Sequence, residues 1–275
     1  MEKLRILYVA NEVSPFLQAT QISEFIRHLS QNMQERGAEI RIIVPRYGLI
    51  NERKNRLHEV VRLSGINISV GDDEKPLVIK VASIPNAKLQ VYFIDNEDFF
   101  QRKAIFYSDT NKEKFFEDND ERAIFFCKST LETIKKLGWS PDVIHCNDWI
   151  SSLIPLYLKT GYRKDPVFRN TKTIFSVFNS SFSHVFPTDM PEKVRIIDVT
   201  DEMLTPLQTC DYEGYIRLGM ENADVIIRGE TELDLQTEKL FNEYKLKNEN
   251  VFDESSYDDY FGIYQTLSNE LVSIL

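Results

Sequence analysis

Cysteine and positive charge are both scarce in this chain. Its 275 residues include three cysteines, Cys127, Cys146 and Cys210, whose spacing forms no CxxC pair. A disulfide framework of the secreted kind is therefore not expected. The 43 Asp and Glu residues outnumber the 33 Lys and Arg residues, which gives a net charge of −10. This balance argues against nucleic acid or an anionic membrane surface as the main partner, because both need a basic face.

Long apolar runs, targeting signals and metal-ligand spacings are also lacking. No apolar run approaches the roughly 20 residues that a transmembrane helix needs. Residues 1–10 pass straight into an apolar strand without the features of a signal peptide. We therefore expect a soluble, cytoplasmic protein without a metal site. Because there is no internal repeat and no Gly/Ser linker, we expect one domain over residues 1–275.

The apolar segments that are present predict an α/β fold. Short apolar strands alternate with amphipathic helices along most of the chain, which is typical of a doubly wound, mostly parallel, Rossmann-like sheet. Strands are predicted at residues 4–10, 39–44, 142–146, 173–178 and 223–227, and helices at residues 20–36, 120–137, 149–160 and 230–244. Residues 48–98 instead show short alternating stretches between turn signals, which predict an antiparallel excursion at the sheet edge.

The C-terminal segment predicts one more helix. Residues 245–259 are polar and acidic, which is typical of a loop. After them, apolar residues recur at helical spacing: Tyr260, Phe261, Tyr264, Leu267, Leu271 and Ile274. We expect residues 256–275 to contain an amphipathic helix that packs back on the domain.

Five segments resemble the starch and glycogen synthase family, in the family's own order. Residues 11–16 (NEVSPF) match its S-E-V-x-P-F turn, and residues 36–47 (RGAEIRIIVPRY) match R-G-H-x-V-x-V-x-x-P-R-Y. Residues 118–122 (DNDER) match the start of its D-N-x-x-R-F helix. Residues 137–149 (LGWSPDVIHCNDW) match L-G-W-x-P-D-V-x-H-x-H-D-W, and residues 177–179 (VFN) match a strand ending in I-H-N.

The resemblance is close over residues 4–160 and looser to about residue 228. It implies the amino-terminal Rossmann-like half of a two-domain, GT-B-type glycosyltransferase. Such enzymes pass glucose from ADP-glucose to an α-1,4-glucan in a cleft between two halves, and the resemblance implies no other cofactor. The family's second half has no counterpart here. The final helix then resembles the one with which these enzymes cross back onto the first half, although an unrelated helix is the alternative.

The donor-site turn departs from the family pattern. The family's Lys-Thr-Gly-Gly turn meets the diphosphate of the sugar nucleotide at a helix N-terminus. Residues 18–21 (QATQ) replace the lysine with a neutral amide and both glycines with residues that carry side chains. Three further family histidines correspond to Asn147, Ile150 and Phe178. These departures predict weakened binding of the donor.

Polar and aromatic residues near the expected cleft are the candidate ligand-binding residues: Glu12, Gln18, Thr20, Gln21, Tyr47, His145, Asp148, Trp149 and Asn179. Two interpretations stay open for several of them. Thr20 is either a helix N-cap or a phosphate contact. His145 is either a ligand at a strand end or a satisfied structural histidine. Trp149, together with Phe182, is either a sugar-stacking platform or part of the core.

Three functions compete. The first is a non-catalytic relative that binds a glucan or metabolite, or serves in regulation or assembly. The second is a glucosyltransferase that works with a separately encoded second half. The third is a nucleotide-binding module of unrelated chemistry, which rests on fold analogy alone. An opened cleft face would also be apolar, which predicts self-association or a protein partner.

Overall fold

A single mixed sheet organises the chain. The computed structural model describes residues 3–108, 111, 113–248, 250–253 and 256–270. The strands in these ranges are β1 (Arg5–Val9), β2 (Glu39–Pro45), β3 (His58–Glu59), β4 (Ile66–Val70), β5 (Asp73–Ser83), β6 (Gln90–Asp95), β7 (Val143–Asn147), β8 (Lys172–Val177), β9 (Val225–Arg228) and β10 (Val251–Phe252). Their order across the sheet is β10-β9-β8-β7-β1-β2-β6-β5-β3, and β4 pairs with β5.

Helices connect the strands and cover both faces of the sheet. The α-helices are α1 (Gln21–Glu35), α2 (Glu52–Asn55), α3 (Glu97–Phe100), α4 (Asn119–Leu137), α5 (Leu153–Lys159), α6 (Met190–Val194), α7 (Tyr212–Asn222), α8 (Leu235–Lys245) and α9 (Tyr257–Glu270). Short 3-10 helices lie at Trp149–Ser151 and Thr205–Thr209. In the described part of the chain, no helix is both long and apolar enough to cross a bilayer.

The predicted doubly wound, mostly parallel sheet is confirmed, with one correction. Strands β10, β9, β8, β7, β1, β2 and β6 run parallel to one another, whereas β5 is antiparallel to β6. The sequence placed residues 89–94 in the antiparallel excursion, but β6 is a parallel strand of the main sheet. The reason is its burial, since five of its six residues are buried, as in a strand covered on both faces.

The core has two layers because side chains alternate along each strand. In β1, Leu7 and Val9 face the layer that contains α4, α5 and α7. Ile6 and Tyr8 face the opposite layer, which contains α1 and α9. The carboxyl ends of β1, β7 and β8 therefore lie between two well-packed layers, and the loops that follow them carry the candidate residues.

Helix boundaries follow local capping. The side chain of Thr20 accepts a hydrogen bond from the Ile22 N–H at the start of α1, and Gly138 ends α4 with a φ of 61°. The helix predicted at residues 230–244 begins only at Leu235. The side chain of Asp234 accepts from the Thr237 N–H at 2.9 Å and so fixes that start.

Helix α9 lies against α1 and crosses β7. Its residues Tyr260, Tyr264 and Leu267 are buried, and Arg36 of the α1 C-cap forms an ion pair with Asp258 at 2.6 Å. The predicted helix positions Leu271 and Ile274 lie outside the described residues.

Candidate ligand-binding site

The turn between β1 and α1 is closed around the carboxylate of Glu12. Glu12 Oε2 accepts the Ala19 N–H at 2.5 Å, and Oε1 accepts the Thr20 N–H at 2.9 Å and also the Thr20 hydroxyl. Glu12 is buried, and this burial raises its pKa against the opposing effect of the hydrogen bonds. Two backbone donors of this turn, the N–H groups of Ala19 and Thr20, are therefore already engaged by an internal carboxyl group.

The remaining polar residues of the turn are neutral. Gln18 Nε2 donates to Ser14 Oγ at 2.6 Å and to Glu24 Oε1 at 2.7 Å. Thr20 is the N-cap of α1, and Gln21 is the first residue of the helix and is exposed. No positive charge stands at residues 18–21 to meet an anion at this helix end.

Asp148 occupies a strained position at the carboxyl end of β7. Its φ is 69°, a region that non-glycine residues rarely adopt. Its Oδ1 accepts the Trp149 N–H at 2.7 Å and the Ser180 hydroxyl. Its Oδ2 has no hydrogen-bond partner among the residues that the structure describes. Burial raises the pKa of Asp148 to about 7, and the negative charges of Glu230 and Glu12 also raise it.

Tyr47 lies beside these two carboxyl groups. It is fully buried, and its hydroxyl has no hydrogen-bond partner within the described ranges. The guanidinium of Arg122 lies 5.6 Å from the centre of its ring. Burial raises the pKa of Tyr47, Arg122 opposes that rise, and the charges of Glu12 and Asp148 add to it. The charges of Glu12 and Asp148 thus act on the Tyr47 hydroxyl at the same edge of the sheet.

Trp149 is a core residue in this structure. It is 1% exposed, and its ring centre lies 4.8 Å from Phe106, 5.1 Å from Phe182 and 5.6 Å from Tyr215. Phe182 itself stacks on Phe115 at 4.6 Å. Neither ring offers an open face for a sugar, so the packing favours the core interpretation for both.

The side chain of His145 does not face the carboxyl edge of the sheet. It is fully buried beneath α9, with Nδ1 at 2.7 Å from the Tyr264 hydroxyl and Nε2 at 2.6 Å from Ser176 Oγ. Burial lowers its pKa to about 3, so the imidazole is neutral. The structure therefore separates His145 from the other candidate residues, because its side chain faces the α1–α9 layer.

Asn179 ties the loop after β8 to the loop after β9. Its Nδ2 donates to Glu230 Oε2 at 2.9 Å and to the Glu232 carbonyl at 2.6 Å, and its Oδ1 accepts the Asp234 N–H at 2.6 Å. All these contacts join residues more than fifty positions apart. Asn179 thus fixes the shape of the edge beside Asp148.

Sequence reasoning did not single out two side chains that shape this edge. Ser180 donates to Asp148, and Arg122 is 1% exposed and packs beside Tyr47. Arg122 stood in the D-N-x-x-R motif at residues 118–122, but the motif gave it no role at this edge. Ser180 gave no signal, because its partner is 32 positions away.

The arrangement as a whole suits neutral ligands better than anions. The groups buried at this edge are two carboxyls and a phenol, on Glu12, Asp148 and Tyr47, and Glu12 already engages the N–H groups of Ala19 and Thr20 just before α1. Among the described residues, no group of three or more His, Cys, Asp or Glu side chains is placed to hold a metal ion.

The sheet order and the loops at its carboxyl edge define one half of a GT-B glycosyltransferase. The fold is similar to that of the catalytic domain of starch synthase IV from Arabidopsis thaliana, a structure with bound ADP and acarbose. The TM-score is 0.66 at 16% identity, over 82% of this chain and 45% of that one. At this identity the likeness shows the fold.

The family follows from the sequence comparison. The model of the starch synthase catalytic domain matches residues 5–231, and the chain belongs to this family. It is 39% identical over 222 residues to the glycogen synthase of Chlorobium luteolum, covering 81% of this chain and 45% of that protein. It is 44% identical over 183 residues to the glycogen synthase of Chlorobium chlorochromatii, covering 66% and 37%. The chain therefore spans about half the length of these curated relatives and corresponds to their amino-terminal half.

Proposed function

We propose that this chain is a glucan- or metabolite-binding relative of the starch and glycogen synthases, with a regulatory or assembly role, that does not transfer glucose by itself. The observation that carries this proposal is the closed β1–α1 turn. Glu12 engages the N–H groups of Ala19 and Thr20, and the neutral amide of Gln18 stands where the family resemblance implies a lysine. The turn therefore has no cation at residues 18–21, and the N–H groups of Ala19 and Thr20 are not free to meet a diphosphate.

The loss is large enough to affect catalysis. One charge-assisted hydrogen bond to phosphate is worth about 1.5–3 kcal/mol. This corresponds to a factor of roughly 10 to 150 in affinity or, if the contact forms mainly in the transition state, in rate. ADP-glucose, the donor that the resemblance implies, should consequently bind weakly.

A second candidate is a glucosyltransferase that needs a partner supplying the other half. The buried carboxyl of Asp148 favours it, because Oδ2 is unpartnered in the described structure and the pKa is about 7. Asp148 is fully buried in this chain, so it would contact a sugar hydroxyl only where a bound partner opens this edge, and a carboxyl can do so in either protonation state. This candidate requires a binding surface for the partner on the edge that contains Asp148.

A transfer assay separates the two candidates. The chain is incubated with labelled ADP-glucose and maltoheptaose, alone and with the separately produced carboxyl-terminal half of the Chlorobium luteolum glycogen synthase. The matched control pairs that half with its own amino-terminal half. We expect the control pair to transfer glucose and this chain to transfer none. Transfer by this chain alone would refute the proposal, and transfer only in the mixture would favour the second candidate.

A turn variant tests the reason for the loss. Replacing residues 18–21 (QATQ) by Lys-Thr-Gly-Gly restores the cation and removes two side chains. We expect ADP to bind this variant at least tenfold more tightly than the wild-type chain. If the affinity for ADP does not change, residues 18–21 are not the reason for weak donor binding.

A further inference from the structure

A pocket of about 1280 Å³ lies at the amino-terminal edge of the parallel strands, opposite the edge that carries the candidate residues. It is bounded by the end of α1, the first residues of β2 and β6, helix α2, and the turn between β5 and β6. We call it the basal pocket. A single phosphate group would fill only a small part of its volume, so the pocket suits an extended ligand.

The basal pocket is positively charged, although the chain as a whole has a net charge of −10. Among the described lining residues, Glu39 is the one carboxylate. The cationic lining residues are Lys3, Arg41, Lys54, Arg56 and Lys88. The local charge is therefore opposite in sign to the net charge of the chain, and it attracts anions to this pocket.

The carboxylate of Glu39 is already engaged. Trp139 Nε1 donates to Glu39 Oε1 at 2.7 Å, and Arg5 Nε lies 3.7 Å from Oε2. Arg41 Nη2 lies 3.8 Å from Oε1, and the Arg41 guanidinium is held over the Trp139 ring, 4.6 Å from its centre. Glu39 thus balances Arg5 and Arg41. Within the described ranges, the other four cations of the pocket form no ion pair.

Two of these four cations stand at backbone positions that long side chains rarely adopt. Arg56, at the end of α2, and Lys88, in the β5–β6 turn, both have a φ of 54°, and nearby Asn86 has a φ of 67°. Three of the six non-glycine residues with positive φ in the described chain therefore line this one pocket. Gly or Asn would adopt this conformation at a lower cost in free energy. The presence of Arg and Lys there favours a function for their charge.

The lining of the basal pocket suits phosphate groups rather than a base or a sugar. Lys and Arg side chains form charge-assisted hydrogen bonds with phosphate oxygens. Phe16, the one Phe, Tyr or Trp among the described lining residues, is 7% exposed, so it offers no open ring face for stacking. Because the four unpaired cations come from separate segments around a large volume, a ligand with several phosphates meets more of them than a single phosphate does.

We propose that the basal pocket binds a linear oligophosphate of three or more phosphate groups, either inorganic or carried by a nucleotide. Lys54, Arg56 and Lys88 contact the phosphate oxygens, and Arg41 adds positive charge beside them. A nucleotide sugar has two phosphates and carries less charge, so it binds this pocket much more weakly. The inference does not rest on the proposed function, because the basal pocket lies at the other edge of the sheet.

The test is calorimetric titration of the full chain at low ionic strength, without divalent cations. Tripolyphosphate, ATP and ADP-glucose are titrated in separate experiments. We expect tripolyphosphate to bind the wild-type chain and ATP to bind no more tightly, since the pocket offers the base no open ring face. Added salt should weaken both. Tighter binding of ATP than of tripolyphosphate would identify a nucleotide as the source of the phosphates.

Variants of the lining test the location of the site. Arg56→Asn/Lys88→Asn removes two charges and places Asn, which adopts positive φ more readily, at both positions. We expect tripolyphosphate to bind this variant at least tenfold more weakly, and its Tm to be no lower than that of the wild type. Lys54→Gln, within α2, should weaken binding roughly threefold. The matched control, Lys103→Gln/Lys164→Gln, removes two charges from exposed lysines outside the pocket and should bind nearly like the wild type.

The outcomes separate this inference from the proposed function. If the wild type does not bind tripolyphosphate, or if the two double variants weaken binding equally, the basal pocket is not an oligophosphate site. If ADP-glucose binds the wild type and Arg56→Asn/Lys88→Asn does not weaken it, the proposed function fails and this inference stands. If that variant abolishes ADP-glucose binding, the argument for three or more phosphates is overturned.

Discussion

Replacing Asp148 by Asn should change how stability depends on pH. The folded protein holds the pKa of Asp148 near 7, whereas an unfolded chain returns it to about 3.9. Between these values the folded state binds the proton and the unfolded state does not. Asp148 therefore makes the wild-type protein less stable as pH rises from about 4 to about 7, with no further change above that.

The magnitude follows from the size of the pKa shift. About three units correspond to an upper limit of roughly 4 kcal/mol, since each unit is about 1.4 kcal/mol. Asn retains an acceptor for the Trp149 N–H and the Ser180 hydroxyl. Its amide nitrogen replaces Oδ2, which has no partner in the described structure, and this adds a cost that does not vary with pH.

The assay is urea unfolding of both proteins at pH 4.5, 6 and 8. We expect the free energy of unfolding of Asp148→Asn, relative to the wild type, to rise by a few kcal/mol between pH 4.5 and pH 8. Asp72→Asn, at an exposed carboxyl, should show a profile parallel to the wild type. Parallel profiles for Asp148→Asn as well would refute the assignment of a raised pKa to this carboxyl.

Three further changes test the packing around α9. Tyr264→Phe leaves buried His145 with an unpaired nitrogen and should lower stability by about 1–3 kcal/mol in thermal unfolding. Deletion of residues 256–275 should cause insolubility or a clear drop in Tm, because it exposes the apolar α1 side of the sheet. Gly229→Ala should destabilise by about 1–3 kcal/mol, because its Cβ would meet the Phe178 ring.

Two control substitutions make these results specific. Tyr257→Phe changes the hydroxyl of a partly exposed residue and should leave the free energy of unfolding within about 0.5 kcal/mol of the wild type. Gly262→Ala sits in an open part of α9, with nothing near its Cβ, and should be neutral or stabilising by up to about 1 kcal/mol. A soluble deletion variant with an unchanged Tm, or a Gly229→Ala variant as stable as the wild type, would contradict the packing described.

Local signals predicted much of the fold. The start of α1 at Thr20 and the end of α4 at Gly138 depend only on residues nearby in the chain. The sequence therefore predicted those boundaries. Residues 89–94 were misplaced because a short apolar run does not show whether its partner strand is parallel. Helix α7 was missed, although its N-cap Asp211 accepts the Gly214 N–H.

The candidate site was harder to predict because it depends on contacts between distant residues. The two bonds of His145 reach Ser176 and Tyr264, 31 and 119 positions away. Strand position alone could not show that α9 covers this histidine. The aromatic cluster that surrounds Trp149 also assembles from separate segments. The sequence alone therefore left Trp149 open as a platform for stacking a sugar.

The central claim is that this member of the starch synthase catalytic domain family binds on the acceptor side without binding the donor. Calorimetric titration of the wild-type chain with ADP-glucose and with a maltooligosaccharide series tests it most directly. The account predicts heat of binding from the oligosaccharides and none from ADP-glucose. Binding of ADP-glucose in the micromolar range would contradict it, because the turn closed by Glu12 would then still accept a diphosphate.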